Sequence, residues 1–303
     1  MEVNEQHASS ASIGSYPKME VLRKTIVAAI KNQVQIKKEH QNILLDACSY
    51  SLNSGGKRIR PILVLMIAEA LEKNCDAMDS ALAVEFFHTA SLIADDLPCM
   101  DDEEERRNNK TTHLVFGENI ALLASYSLIS LGYEMIANNV STVKKNFLSD
   151  ESSGEKRCVI ALQEISLLAG IGGATQGQFL DLFPPDSSYE TICKIIYQKT
   201  ITLFEVAFIL GWLFGGGDVK KLPKARECAK HLGMAFQVAD DILDVMQDEN
   251  NDYAMNIASF LGKEKALNLF EKEMLLFKEK MEALSLWSSS FEECSSFLRE
   301  TVL

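Results

Sequence analysis

The sequence predicts an all-α fold whose helices pack as one bundle. Only six prolines occur in 303 residues, which leaves long intervals in which a helix can run unbroken. Within those intervals apolar residues recur at spacings of three and four, the signature of helices with one buried face. No stretch combines sustained alternation with β-branched enrichment and flanking turn signals, so no strand is expected. With 47% hydrophobic residues, the chain has ample material for one continuous core.

In chain order, residues 1–18 are polar, carry Glu2 and Glu5 and lack arginine. They match neither a secretory signal nor an amphipathic transit peptide and are expected as a flexible tail ahead of a single domain, 19–303. Leu63, Ile67, Ala70 and Leu71 form the first stripe, and residues 82–93 make a more continuously apolar helix. Ile120, Leu123, Leu128, Leu131 and Met135 form another stripe, and Val159, Leu162, Ile165 and Ala169 the next. Residues 195–213 come nearest to a membrane span. Gln198, Lys199 and Glu205 interrupt them, and no unbroken apolar run reaches the ~20 residues a bilayer needs. No stable membrane insertion is expected. A last apolar helix covers 234–245. Turn residues at 53–56, 74–79, 98–112, 138–155, 184–188, 215–221 and 247–256 separate these helices at intervals suited to a bundle.

Charge and cysteine usage narrow the function. Thirty basic and 43 acidic side chains give a formal charge of −13, which argues against a nucleic-acid partner, since such proteins match phosphates with Lys and Arg. Seven cysteines are scattered singly, with no C-x-x-C pair. They read as reduced thiols in a cytoplasmic protein.

Two acidic clusters adjoin apolar helix. Asp95, Asp96, Asp101 and Asp102 follow directly on 82–93, with Glu103–Glu105 and Arg106-Arg107 behind them. Asp240 and Asp244 lie four apart on one face of 234–245. Carboxylates of like charge beside a buried face need compensation. Mg²⁺ supplies it naturally, because it is held by one or two carboxylates together with substrate phosphates and water. Glu103–Glu105 read as a solvated face.

Cations complete the pattern. Gly55-Gly56-Lys57-Arg58-Ile59-Arg60-Pro61 places three of them after a glycine pair that lets backbone approach a ligand, just before a helix start that favours anions. With Arg106, Arg107 and Lys199 they are suited to phosphate; a surface turn is the alternative for 55–61. His88 precedes Asp95 by two helical turns, either in line with that site or as a hydrogen-bonded core residue.

The motifs Gly-Gly-Lys-Arg-Ile-Arg-Pro (55–61), Asp-Asp-Leu-Pro-Cys-Met-Asp (95–101) with Arg106-Arg107, Gly177-Gln178 with Asp181, Lys199-Thr200, and Phe-Gln-Val-Ala-Asp-Asp-Ile-Leu-Asp (236–244) stand in an order that resembles the trans-isoprenyl diphosphate synthases. The likeness covers about residues 20–265 and is nearest the short-chain farnesyl and geranylgeranyl diphosphate synthases. It implies an all-α bundle around a deep central cavity, normally a homodimer. It also implies Mg²⁺-dependent head-to-tail condensation of an allylic diphosphate with isopentenyl diphosphate. By position, Asp95, Asp96, Asp101, Asp240 and Asp244 would hold Mg²⁺. Arg106, Lys199, Thr200 and Gln237 would contact the allylic diphosphate, and Lys57, Arg60, His88 and Arg107 the isopentenyl diphosphate.

Product length follows from the helix below Asp95. Ser91 and Ala90 are small where farnesyl-producing relatives carry an aromatic floor, and Phe87 comes about one turn, ~5.4 Å, deeper. A C20 product, geranylgeranyl diphosphate, is expected if Phe87 faces the cavity; Phe86 and Phe87 as core aromatics facing elsewhere is the alternative. Three departures stand out: Ala94 replaces the usual His, Ser125-Tyr126 replaces Gly-Asp, and 246–256 lacks the lysine that usually follows the second cluster. The last favours an alternative, a weakly active or non-catalytic subunit that modulates a partner synthase.

Overall fold

The computed structural model describes residues 12–36, 41–146, 153–247 and 255–302. Its helices are α1 (Pro17–Ile36), α2 (Ile43–Asn53), α3 (Ile59–Ala70), α4 (Met78–Asp95), α5 (Thr112–Phe116), α6 (Glu118–Asn146), α7 (Gly154–Ala169), α8 (Ala174–Leu182) and α9 (Tyr189–Ile195). A π-helical turn (Ile196–Ile201) leads into α10 (Thr202–Phe214), and α11 (Leu222–Gln247), α12 (Ile257–Leu261), α13 (Lys263–Ala283) and α14 (Ser289–Thr301) follow. The all-α expectation holds.

Helix α10 is the axis of the bundle. Every residue from Thr202 to Phe214 is buried, because α3, α4, α7 and α11 surround it on all sides. Its apolar side chains run all round the helix, as burial without an exposed face requires. Two buried polar groups in the core are paired. Glu85 of α4 takes a hydrogen-bonded ion pair from Arg58, which also donates to Leu52 O at 2.5 Å. Arg157 of α7 donates to Leu213 O and Gly217 O, both at 2.8 Å, satisfying carbonyls at the end of α10.

Several expectations need correction. Residues 105–110 form a small antiparallel hairpin, β1 (Glu105–Arg106) with β2 (Asn109–Lys110). Arg107 and Asn108 turn it with φ of 55° and 61°, the backbone of a type I′ turn; two-residue strands are too short to show alternation. Helix α6 continues to Asn146 rather than ending at 138. Asn139 is fully buried, accepts from Ser80 N at 2.7 Å and donates to Asp76 O at 2.8 Å, so a residue read as a turn signal instead ties two helices together. Residues 12–18 are not a tail: Ile13 and Tyr16 are buried, and Lys18 N–H donates to Glu293 at 2.9 Å. Residues 1–11, the rest of the expected tail, lie outside the described residues.

Leu123 and Val159, assigned to buried stripes, are 47% and 54% exposed. Their faces are shared with Leu122, Tyr126 and Ile129 on α6 and Leu167 on α7, all exposed. By length and composition the stretches Glu118–Val143 and Gly154–Leu182 match a membrane span more closely than 195–213 does. The second is broken by the turn between α7 and α8.

Candidate active site

Two cavities reach the π-turn. A polar one of about 1030 Å³ is lined by Lys57, Arg60, His88, Arg107, Thr200, Gln237 and Asp240. An apolar one of about 470 Å³ is lined by Phe87, Ala90, Ser91, Asp95, Tyr133 and Lys199, among others. Consecutive residues Lys199 and Thr200 thus face different cavities.

The cationic wall is built around the glycine pair. Gly55 and Gly56 have φ of 91° and 107°, conformations that favour glycine. A Cβ on Gly56 would lie 2.5 Å from the Arg107 guanidinium carbon, so the absent side chain is what lets Arg107 lie on the loop and donate to Gly55 O at 2.7 Å. Of the three cations expected there, Arg58 turns inward to Glu85. Lys57 and Arg60 face the cavity. Arg60 stacks over Phe204 at 4.8 Å, and burial pulls its pKa down to about 10. Its guanidinium lies 3.3 Å from His88 Nε2. Burial first, and then Arg60 and Arg107, hold His88 well below the ordinary histidine range. His88 is therefore a neutral neighbour of the arginines, and its Nδ1 is buried without a hydrogen bond.

On the first acidic wall, Asp96 is buried and accepts from Arg106 Nε at 2.9 Å and Nη2 at 2.5 Å. Asp101 is exposed and accepts from Gln178 at 2.9 Å. Lys199 Nζ lies 2.5 Å from Asp181 and 3.8 Å from Asp101. Burial pushes Asp95 up to about 6, offset in part by Lys199. On the second wall burial pushes Asp240 up to about 7, offset in part by Lys57. Asp244, one turn further along α11, is exposed, and partial burial of its carboxyl raises its pKa. Asp241 is different: it accepts from Gln237 and from Ile257 N, both at 2.7 Å, and so ties α12 to α11. Gln237 accepts from Thr200 Oγ1 at 2.7 Å.

Of the expected residues, Lys57, Arg60, His88, Arg107, Thr200, Gln237 and Asp240 line the polar cavity and Phe87, Ala90, Ser91, Asp95 and Lys199 the apolar one; Asp96 and Arg106 line a separate small pocket with Arg107, Asp101 reaches Lys199, and Asp244 lines none of these. Two qualifications follow. No group of three or more His, Cys, Asp or Glu side chains lies close enough to hold a metal by itself among the described residues. Nor is Arg106 free, since it pairs with Asp96. Phe87 does face the apolar cavity, edge-on to Tyr133 at 5.1 Å between ring centroids, whereas Phe86 is buried. Ser125, one of the departures, also lines that cavity and donates to Ala90 O at 2.8 Å. Of the lysine-free segment 246–256, residues 248–254 lie outside the described residues. The sequence reading named Asp181 only within a motif and Glu205 only as a break in an apolar run, giving neither a role, and it did not single out Tyr133 or the buried Glu85. The two glutamates had a signal, each being a charge inside an apolar helix.

Residues 41–255 match the polyprenyl synthetase family model. The chain belongs to the polyprenyl synthetase family. Among its relatives in that family, geranylgeranyl pyrophosphate synthase 11, chloroplastic, of Arabidopsis thaliana is 36% identical over 233 residues, 75% of this chain and 63% of that protein. The chloroplastic geranylgeranyl pyrophosphate synthase of Capsicum annuum is 38% identical over 221 residues, 72% of this chain and 57% of that one. The chain thus spans less than two thirds of the length of these curated relatives. An FPP/GFPP synthase of Zymomonas mobilis superposes with a TM-score of 0.79 at 26% identity, covering 96% of this chain and 99% of that one. A geranyltranstransferase of Thermotoga maritima gives 0.72 at 26% identity, over 93% and 99%. The chloroplastic names overturn the cytoplasmic expectation.

Proposed function

We propose that this member of the family is a short-chain prenyl diphosphate synthase. It would condense an allylic diphosphate with isopentenyl diphosphate, head to tail, to give geranylgeranyl diphosphate and release diphosphate. The observation that carries this reading is a cation-lined polar cavity and an apolar one that are lined by the consecutive residues Thr200 and Lys199. One cavity suits two diphosphates and the other a growing hydrocarbon chain.

The donor set fits Mg²⁺. Asp95, Asp240 and Asp244 are oxygen donors whose burial disfavours charge, and their carboxylates have no hydrogen-bond or ion-pair partner among the described residues. The lack of a ready three-ligand cluster agrees with an ion that keeps several waters and takes oxygens from substrate. Asp95, Asp96, Asp101, Asp240 and Asp244 would hold it, and it would supply charge neutralisation for the leaving diphosphate.

Each side chain then has a task. Lys199, Thr200, Gln237 and Arg106 orient the allylic diphosphate, while Lys57, Arg60 and Arg107, with neutral His88 beside them, bind isopentenyl diphosphate. Fixed cations aimed at the departing oxygens favour cleavage of the allylic C–O bond. The walls at Ala90, Ser91 and Leu203 exclude water from the cation, the double bond of the second substrate attacks it, and the proton lost afterwards goes to the released diphosphate. Ala90 and Ser91 leave the upper cavity open, and Phe87 with Tyr133 closes its end. Exposed apolar side chains on α6 support a homodimer, and the relatives' names support a plastid location.

The test is incubation of the purified chain with isopentenyl diphosphate, allylic primers of graded length and Mg²⁺. A C20 product that disappears with EDTA is expected. No product alone, with product altered when a partner synthase is added, would favour the modulating-subunit reading that the lysine-free segment 246–256 suggests.

A further inference from the structure

Lys199 and Thr200 owe their placement to an irregularity in the helix that carries them. The turn Ile196–Ile201 is π-helical, with Thr202 N–H donating to Tyr197 O, five residues back. Such turns are rare and concentrate at functional sites. Thr202 Oγ1 donates to Gln198 O at 2.6 Å and so occupies a carbonyl inside the widened turn. On one side α8 presses against the turn at Gly177, where a Cβ would lie 2.3 Å from Lys199 N. On the other side is a buried acid. Glu205 is fully buried, accepts from Tyr197 Oη at 2.9 Å and from Arg226 Nε at 2.6 Å, and Arg226 reaches on to Glu164 of α7 at 2.7 Å. Lys230 of α11 lies 5.6 Å from the centre of the Tyr197 ring.

Helical phase ties this network to the turn. In a regular α-helix, eight residues at about 100° each would put Glu205 about 80° round from Tyr197, off its face. One extra residue taken up by a π-turn restores the phase of a seven-residue step, about 20° short of two full turns, and brings the two side chains together. The hydrogen bond between Tyr197 and Glu205 therefore suits the π-turn and not its regular alternative. Without the π-turn, the segment before α10 would rotate by about 100° and carry Lys199 and Thr200 away from their cavities.

We propose that Glu205, gripped by Tyr197 and Arg226, is a positioning residue that locks the π-turn and thereby aims Lys199 and Thr200 at the allylic diphosphate. This rests on the function proposed above. The test uses the full chain with Tyr197→Phe, which keeps the ring and removes only the hydroxyl, alongside Glu205→Gln, which keeps an acceptor oxygen, and Glu205→Leu. Affinity for geranyl thiolodiphosphate, whose C–S bond resists ionisation, is read by calorimetry with Mg²⁺ present, and KM is measured for each substrate. Loss of a hydrogen bond to a charged group predicts about tenfold weaker binding of the thio analogue and about tenfold higher allylic KM in Tyr197→Phe. The KM for isopentenyl diphosphate should change less than about twofold, and Glu205→Gln should be less impaired than Glu205→Leu. A lower melting temperature with both KM values and analogue affinity unchanged would overturn the positioning role, as would an equal rise in both KM values. If the wild-type chain neither binds the analogue nor turns over, the proposed function fails; if it binds and Tyr197→Phe binds equally well, only this inference fails.

Discussion

Single residues set what the cavities admit. Ala90 is the small residue between Asp95 and the Phe87–Tyr133 pair, so Ala90→Phe should fill the apolar cavity and shorten the product from C20 toward C15 in a chromatographic assay with farnesyl and geranyl primers. Unchanged length would mean that the chain takes another route. The reverse change, Phe87→Ala, should remove the floor and yield products beyond C20. Much of this was legible in the sequence, because acids, cations and glycines carry their chemistry in their identity. The inward turn of Arg58 was not, since Arg58 and Lys57 are adjacent and only the partner Glu85, twenty-seven residues away, decides which of them is buried in an ion pair. That pairing makes its own prediction. Glu85→Leu strands a buried guanidinium and should cost about 3–5 kcal/mol in urea unfolding, as when one partner of a buried pair is removed; replacement by glutamine, which still accepts a hydrogen bond, should cost less.

At the scale of elements, helix faces were readable and helix ends were not. On α3, Leu63 and Ile67 of the expected stripe are buried while Ala70 and Leu71 at its end are only partly so, and the apolar run of α4 is largely buried. The end of α6 was misplaced because Asn139 spends its amide on another helix, and tertiary hydrogen bonds leave no local trace in sequence. The π-turn was equally hidden: a one-residue change of phase leaves no readable pattern in six residues, Ile-Tyr-Gln-Lys-Thr-Ile, that run into a helix buried on every side. Contact between α8 and that turn rests on the missing side chain of Gly177. Gly177→Ala would drive a methyl into the backbone at Lys199, and either α8 or the turn must move. Calorimetry should show a lower melting temperature, and kinetics a higher allylic KM, because Asp181 and Gln178 leave with α8. A protein with wild-type stability and KM would show that the two elements are not coupled.

At the scale of the molecule, an apolar surface on α6 is left uncovered among the described residues. Leu122, Tyr126 and Ile129 follow one another at steps of four and three along α6 and are 39%, 57% and 37% exposed, a helical stripe of the kind normally turned toward a core. The opposite side of α6 is already spent on α4, and α7 flanks it. Ile129 also lines the apolar cavity, so whatever covers this stripe also covers part of that cavity's wall. A second copy meeting the first across a twofold axis would bury the stripe against itself, as a closed symmetric pair requires. Tyr126→Glu places a charge at the centre of that contact and should convert a dimer into a monomer in analytical ultracentrifugation while leaving the far-ultraviolet circular dichroism unchanged. Because the cavity wall would then face water at Ile129, the monomer should also lose more activity with long primers than with short ones. A variant that stays dimeric, or a monomer with the wild-type primer profile, would separate assembly from the cavity.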